Sequence, residues 1–266
     1  MRYKIQLNLG RNCLRYIIKA YGIEEIFMPF YICPTVIRAV RKENCNIHFY
    51  HIDKNFMPVV NFGKNDFILY PNYFGICSKN VLKLSQKYKN LIVDNAHNPF
   101  MPEVGLADFK SYRKFFNVKD GAELNISQKF EIDFPKEKFT YENFSARLSY
   151  EELVENETRL DNEEILKISD CTKNLLSQID FEKEKEKRLE KFQEFHKKYR
   201  EKNELKFELT KFDVPFVYPY LTRDEKVGYE LEKSGLLIIR YWESLPKDFP
   251  EYDFYKYLIP IPLNYR

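Results

Sequence analysis

The sequence predicts an α/β protein, with a mostly parallel sheet flanked by helices and a small α+β C-terminal domain. Three observations support this prediction. Short apolar runs alternate with helical patterns over the first half of the 266 residues, as in parallel sheets. A highly charged helical stretch follows, and strand-like segments return near the end. We therefore expect a large domain over residues 1–145, a helical bridge over 146–205 and a small domain over 206–266.

Helices and strands alternate regularly along the first hundred residues. Leu14, Ile17 and Ile18 recur at helical spacing, and Gly22 is a suitable helix end. Pro34 suits the first turn of a second helix. The other predicted elements here are strands over 25–29, 47–52, 66–70 and 91–94, and a helix over 81–88.

The second half has a different pattern. Residues 130–144 are polar and irregular, whereas 149–206 are helical and charged. An apolar stripe at 3–4 spacing predicts a long amphipathic helix with a solvated face, rather than a coiled coil; it consists of Leu189, Phe192, Phe195 and Tyr199. The elements predicted beyond it are a helix over 225–234, a strand over 236–239 and an extended tail over 257–266.

Composition narrows the class of protein. Hydrophobic residues make up 44% and charged residues 31%, a globular composition. The net charge of +3 gives no general footprint for nucleic acid. No apolar run predicts secretion or a membrane span. Five cysteines without C-x-x-C spacing indicate reduced thiols in a cytoplasm and argue against a zinc site.

An acidic residue and a lysine are the most informative pair. Asp94 ends the predicted strand 91–94, and Lys114 follows about twenty residues later. Ligands of open α/β sheets bind beyond the carboxyl ends of the strands. Pyridoxal phosphate needs a carboxylate to keep its ring nitrogen protonated and a lysine to form a Schiff base. The pair suits this cofactor, although a helix cap and a surface cation are the structural alternatives.

Several further residues fit the same ligand. Gly10 and Arg11 open the first predicted helix, whose N-terminus is a natural phosphate cradle. Ser111 could donate to the phosphate, and His97 could contact the ring or its oxygen. For stacking on the ring the sequence offers Tyr31, with Phe30 and Cys33 as alternatives, and a core aromatic is an equal possibility.

A series of short motifs resembles the DegT/DnrJ/EryC1 family of sugar aminotransferases, within the fold type I pyridoxal phosphate superfamily. Their order and spacing carry the resemblance, which spans nearly the whole chain. In order, the matching motifs lie at residues 10–14, 28–29, 72–75, 93–97, 107–114, 120–122, 235–242, 245–246 and 259–263.

The resemblance implies a cofactor, a reaction and a set of roles. Asp94 would pair with the pyridine nitrogen, His97 would contact the ring, Ser111 would bind phosphate and Lys114 would carry the cofactor. The remaining expected cofactor-binding residues are Gly10, Arg11, Tyr31 and Asn72. The implied reaction is transfer of an amine from glutamate to a nucleotide-linked keto sugar, for surface polysaccharide. Such enzymes build each site at a two-fold interface, so a homodimer is expected.

Two alternatives remain beside this reaction. Lys114 follows Ser111 by three residues, a spacing more similar to the cysteine desulfurase branch than to sugar aminotransferases. That spacing leaves open other pyridoxal phosphate chemistry (lyase, desulfurase or decarboxylase), in which Cys33 or Cys77 would matter. The short chain also fits a non-catalytic binding member. For Arg240 and Arg266 the sequence leaves two roles open, a carboxylate-binding group or one half of a surface ion pair.

Overall fold

The structure is a computed structural model that describes residues 2–129, 133–138, 150–161, 164–242 and 245–263. Most of the predicted irregular stretch 130–144, and Arg266, lie outside the described residues. Within them, the centre of the molecule is a seven-stranded sheet. Its strands are β1 (Tyr3–Leu7), β2 (Glu25–Pro29), β3 (Asn46–Tyr50), β4 (Ile68–Pro71), β5 (Leu91–Asp94), β6 (Ala107–Ser111) and β7 (Ala122–Ile126).

The sheet is mostly parallel, as the sequence predicts. Its strand order is β1-β7-β6-β5-β4-β2-β3, and β6, β5, β4, β2 and β3 run parallel. β7 is antiparallel to both of its neighbours, β1 and β6. In the parallel part Asp94 lies opposite Pro71 of β4 and Phe109 of β6. The carboxyl ends of three neighbouring strands therefore meet at one edge of the sheet.

Helices cover the sheet and recur through the rest of the described residues. They are α1 (Gly10–Tyr21), α2 (Pro34–Lys42), α3 (Ser78–Lys87), α4 (Tyr150–Asp161), α5 (Asp170–Ser177), α6 (Phe181–Tyr199), α7 (Glu225–Lys233) and α8 (Tyr252–Tyr257). α1 has the predicted extent and ends at Gly22, which has the left-handed conformation of a C-cap. The predicted 149–206 helical stretch is divided into α4, α5 and α6. The predicted apolar stripe lies on α6, where Phe192 is buried.

The two faces of the sheet belong to separate apolar clusters, because side chains alternate along a strand. Leu69 and Ile92 pack with α1 and α2 on one face. Tyr70 and Val93, their chain neighbours, pack on the opposite face against α3 and the C-terminal third of the chain. The site therefore lies at the edge of a rigid, doubly covered sheet.

The C-terminal third adds a second, two-stranded antiparallel sheet of β8 (Val217–Leu221) and β9 (Leu258–Pro262). Tyr218 and Ile261 of this pair are fully buried in the same cluster as Tyr70 and Tyr73 of the main sheet region. We refer to this cluster as the shared core. Because both sheets contribute to one core, the division into three domains stays a prediction.

Some sequence predictions differ from the structure. Residues 236–239 do not form a strand in the part of the chain described: Leu236 packs into the core, but Leu237 and Ile239 are 54% and 48% exposed. One side of this segment thus packs into the core, although the segment does not pair with another strand. The sequence gives little sign of β1, because only Leu7 of its five residues is buried. Among the residues described, no helix is both long and apolar enough to span a membrane.

Gly75 fixes the turn that leads from β4 toward the site. It has φ of +72°, and an added Cβ would lie within 3.0 Å of the main-chain oxygens of His97 and Val214. Two backbone segments, at His97 and at Val214, therefore approach the main chain closely at this glycine. Only glycine fits both the backbone conformation and the space.

We expect Gly75→Ala to lower the free energy of unfolding by about 3 kcal/mol, because it combines a strained backbone with a main-chain clash. Gly22→Ala is the matched control: Gly22 has φ of +60° and nothing within 4 Å of an added Cβ. The control should lose only about 1–2 kcal/mol. Denaturant unfolding measures both, and equal losses would contradict the role assigned to the close approach at Gly75.

Candidate active site

A cavity of about 450 Å³ lies at the sheet edge where β4, β5 and β6 end and α1 begins. Its walls come from distant parts of the chain, including α4 and the segment around residue 241. Seven of the eight sequence-predicted site residues line it: Gly10, Arg11, Asn72, Asp94, His97, Ser111 and Lys114. The predicted edge of the sheet is thus the place where the chain brings these residues together.

Asp94 is a carboxylate held in a largely apolar setting. Burial raises the pKa of its carboxyl to about 6, while the Ala96 N–H (2.9 Å from Oδ1) and the charge of Lys114 act to lower it. A carboxylate whose charge is this poorly solvated gains most from a cationic partner. Asp94 is therefore suited to hold a protonated ring nitrogen.

Lys114 lies on the same cavity, at the end of a short 3-10 helix (Tyr112–Lys114) that follows β6. Its side chain is partly exposed, and Nζ lies 5.5 Å from the centre of the Phe216 ring. Its charge influences the pKa of both Asp94 and His97. An amine that faces a cavity beside an aromatic ring can act on a ligand bound there.

His97 is neutral and held in one tautomer. Burial and the charge of Lys114 lower its pKa well below the usual value. The Phe74 N–H donates to Nδ1 at 3.2 Å, so in the neutral ring Nε2 carries the proton. The ring is stacked between neighbours, with Phe216 at 4.8 Å and 22°. His97 is therefore a fixed hydrogen-bond donor on the cavity wall and not a base.

The N-terminus of α1 opens into the cavity without a side-chain cap. Its N-cap residue is Leu9, which has no side-chain acceptor. Gly10 faces the end of β6: an added Cβ would lie at an ordinary 3.7 Å from Cβ of Ser111. The protein itself therefore does not require glycine here, whereas a ligand close to the backbone would. The start of α1 and the Ser111 hydroxyl form a suitable cradle for an anion.

Two predicted site residues have a different role or place. Asn72 borders the cavity, but its side chain is fully used inside the protein: Nδ2 donates to Asn95 Oδ1 at 3.1 Å, and Oδ1 accepts from the Cys77 N–H at 3.0 Å. It connects β4 to β5. Tyr31 does not line the cavity; its ring is buried against Tyr73, at 5.9 Å and 12°. Tyr31 is therefore packed as a core residue, which is the alternative that the sequence left open.

Cys33 lines the cavity where Tyr31 was expected to do so, with Sγ 3.1 Å from Thr35 Oγ1. Cys77, the other cysteine considered, is buried away from the cavity at the start of α3, and burial raises the pKa of its thiol. Arg240 also borders the cavity, but Nη1 donates to the main-chain oxygens of Lys256 and Leu258 at 2.9 and 3.1 Å. One side of Arg240 thus anchors the C-terminal segment.

Sequence reasoning missed an aromatic wall. Phe216, Tyr241 and Trp242 line the cavity, and Trp242 stacks parallel to His97 at 5.8 Å and 7°. Trp242 has φ of +57°, a strained conformation for a bulky residue that is often found at functional sites. Phe216 gives no local signal, because it reaches the cavity only through the packing of the C-terminal third.

Sequence reasoning also missed a charged corner beside α1. Glu157 of α4 lies at the cavity and forms ion pairs with Arg11 and with Arg113. The Arg11 Nη1 to Glu157 Oε2 distance is 3.7 Å. The preceding residue, Asn156, donates through Nδ2 to the Lys119 main-chain oxygen at 3.0 Å, which helps to hold α4 in place.

Comparison with known proteins identifies the fold. Helicobacter pylori PseC, an aminotransferase involved in the biosynthesis of pseudoaminic acid, matches with a TM-score of 0.64 at 15% identity, over 99% of this chain and 82% of that chain. The putative sugar aminotransferase Spr1654 from Streptococcus pneumoniae, in its PMP form, matches with a TM-score of 0.69 at 12% identity, over 98% and 81%.

A DegT DnrJ EryC1 StrS aminotransferase from Brucella abortus matches with a TM-score of 0.61 at 12% identity, over 98% of this chain and 80% of that chain. No family model and no curated protein matches by sequence. The chain therefore has the fold of these aminotransferases, and the predicted fold class is confirmed for the sheet and its helices. At these identities the likeness concerns the fold, and the chemistry has to be argued from the cavity.

Proposed function

We propose that the chain is a pyridoxal phosphate-dependent aminotransferase that acts on a keto sugar linked to a nucleotide. The observation that carries this proposal is the meeting of Asp94 and Lys114 in one cavity at the carboxyl edge of the sheet. The similar solved structures support it, because several are described as aminotransferases and Spr1654 was also solved in its PLP form.

The residues of the cavity fit this cofactor at each of its ends. The uncapped start of α1, with Gly10 and Ser111, suits the phosphate. Asp94 suits the ring nitrogen at the other end, because its buried charge is poorly compensated. Ala96 and Cys33 both line the cavity between these two ends of the sheet edge.

When bound, pyridoxal phosphate supplies an electron sink for the carbon that exchanges its amine. Asp94 would hold the positive charge of the ring nitrogen, and His97 would donate through Nε2–H to an oxygen of the ligand. Lys114 would bind the aldehyde carbon through Nζ and then move a proton as general base and acid. Tyr241 and Trp242 would exclude water and present flat surfaces to the sugar.

Cofactor uptake followed by a half-reaction tests the proposal. Purified protein supplied with pyridoxal phosphate should gain the visible absorption of a lysine-bound cofactor, and borohydride should fix the pyridoxyl group on the peptide that contains Lys114. Adding glutamate should convert the bound cofactor to its amine form. Absence of uptake at saturating cofactor would overturn the proposal.

One observation favours a second candidate, in which the same cofactor serves a lyase or desulfurase. Cys33 faces the cavity through a partly exposed thiol. The half-reaction separates the two functions. Elimination leaves the cofactor in its aldehyde form, whereas transamination converts it to the amine form. If Cys33→Ser retained the lyase or desulfurase activity of wild type, the role of this thiol in the second candidate would be excluded.

The assembly and the location are further parts of this proposal. We propose a homodimer with a two-fold interface, because closed symmetric dimers are the commonest assembly of soluble enzymes. We also propose a cytoplasmic location: all five cysteines are unpaired in the structure. Sedimentation velocity would give the assembly directly, and a monomer at working concentration would exclude the dimer.

A further inference from the structure

We infer that Arg11 and Arg113 form a two-arginine clamp for the phosphate of the cofactor, and that Glu157 is the counter-ion which this phosphate displaces. We call the three residues the arginine clamp. The inference rests on the proposed function for the identity of the ligand. It assigns a binding role to Arg113 and a competing role to Glu157, neither of which the sequence suggests.

The position of the two arginines supports the clamp. Gly10 and Ser111 face each other where α1 begins and β6 ends, with 3.7 Å between the added Cβ of Gly10 and Cβ of Ser111. Arg11 follows Gly10, and Arg113 lies two residues beyond Ser111. Both arginines line the same cavity as Gly10 and Ser111, and both guanidinium groups reach Glu157.

The burial of the three side chains shows which of them is replaceable. Arg11 and Arg113 are 12% and 15% exposed, whereas Glu157 is 51% exposed. An ion pair whose carboxylate is half exposed is screened by water on that side and stabilises less than a buried pair. A phosphate that bridges two largely buried guanidinium groups makes stronger, charge-assisted bonds. Glu157 can therefore give way at small cost.

The charge of the cavity points to a dianion. Four cationic side chains line it, Arg11, Arg113, Lys114 and Arg240, against the two carboxylates of Asp94 and Glu157. The lining thus has an excess of two positive charges, and removal of Glu157 from the corner increases it. A phosphomonoester carries about −1.5 to −2 charges at pH 7. The excess therefore matches the charge of one phosphate group.

A binding experiment tests the clamp without reference to turnover. The chain has one tryptophan, Trp242, and it lines the cavity, so its fluorescence reports a bound ligand. Pyridoxal 5′-phosphate and pyridoxal are titrated into wild type, Arg113→Gln, Glu157→Gln and the double variant. Controls are Glu155→Gln, an exposed carboxylate on α4, and Arg41→Gln, an exposed arginine on α2. Arg113 is preferred because Arg11 also donates to the Leu160 main-chain oxygen.

We expect Arg113→Gln to weaken the binding of pyridoxal phosphate about ten- to hundredfold more than the binding of pyridoxal. Glu157→Gln should strengthen the binding of pyridoxal phosphate about three- to tenfold and leave the affinity for pyridoxal unchanged. The gain should shrink in the double variant, because the two residues act on one ligand. Unchanged or weaker binding in Glu157→Gln would overturn the clamp, as would equal losses for both ligands in Arg113→Gln.

Two further arms identify the source of the phosphate and separate this inference from the proposed function. Uridine diphosphate is a probe for a nucleotide-linked substrate, and its affinity should be the same for wild type and Glu157→Gln. If the affinity for uridine diphosphate changes and that for pyridoxal phosphate does not, the clamp belongs to the substrate and the inference is wrong. Inorganic phosphate should raise the melting temperature in an Arg113-dependent manner. If it does so while pyridoxal phosphate does not bind, the proposed function fails and the anion clamp stands; if neither acts, both fail.

Discussion

Replacing Lys114 by alanine should abolish covalent cofactor attachment and lower transamination by at least about 10³-fold. A lysine in this place supplies both the nucleophile and the proton-transferring group, and a positioned acid–base group alone contributes about 10²–10⁴-fold. The structure makes this a local loss, because the Lys114 side chain lines the cavity beside the Phe216 ring. Absorbance after cofactor addition and the half-reaction with glutamate measure the two effects.

Two matched variants make the Lys114 result specific. Lys114→Arg keeps a cation beside Phe216, but a guanidinium does not lose its proton and cannot replace the amine. It should therefore be as inactive as the alanine variant. Lys119→Ala removes a lysine outside the cavity lining and should keep both activity and absorbance. A Lys114→Ala protein that still traps a pyridoxyl group with borohydride would contradict the assignment.

Asp94→Asn should raise the stability of the cofactor-free protein and lower its transamination activity. In the cofactor-free protein, burial raises the pKa of this carboxyl from 3.8 to about 6. The folded chain therefore holds the proton more tightly than the unfolded chain. This group stabilises the fold at low pH, and that contribution is lost as the pH rises from about 4 to about 6.

At pH 7.5 the cofactor-free Asp94→Asn protein should be more stable than wild type, by up to about 3 kcal/mol. Asparagine keeps an acceptor for the Ala96 N–H without a buried charge. The advantage should disappear at pH 4, where the wild-type carboxyl is protonated. Transamination should fall by about 10²–10⁴-fold, because loss of one partner of a buried ion pair costs about 3–5 kcal/mol.

Thermal unfolding at the two pH values and steady-state transamination check this prediction together. Asp248→Asn, a change at an exposed carboxylate, should alter neither. An Asp94→Asn protein that is less stable than wild type at pH 7.5 would show that the carboxylate has a structural role. An Asp94→Asn protein with full activity would remove the basis of the proposed cofactor site.

The sequence predicted the parts of the site that depend on local pattern. Asp94 ends a buried strand, and strands of a parallel sheet end at one edge, so its placement followed from alternation of helices and strands. Lys114 was proposed from its spacing after Asp94, and Ser111 from the motif at residues 107–114. Gly10 and Arg11 were found because they open a helix with a regular apolar stripe.

The remaining parts depend on contacts between distant segments. The sequence could not tell whether Tyr31 or Cys33 of one loop faces the ligand, because loop direction is set by packing. It could not show that the amide of Asn72 is used by Asn95 and Cys77. Glu157 reaches the cavity from α4, across a long separation in sequence, and no local pattern distinguishes it from other exposed carboxylates.

The shared core has a consequence for how the molecule comes apart. Rings near the start of the chain, such as Tyr31, pack in one cluster with Leu263 near its end. Neither sheet can therefore melt while the other stays intact, and unfolding should be a single cooperative event. A protease that opens the C-terminal third would uncover the aromatic interior of the whole molecule, so digestion should yield small peptides and no resistant half-size fragment.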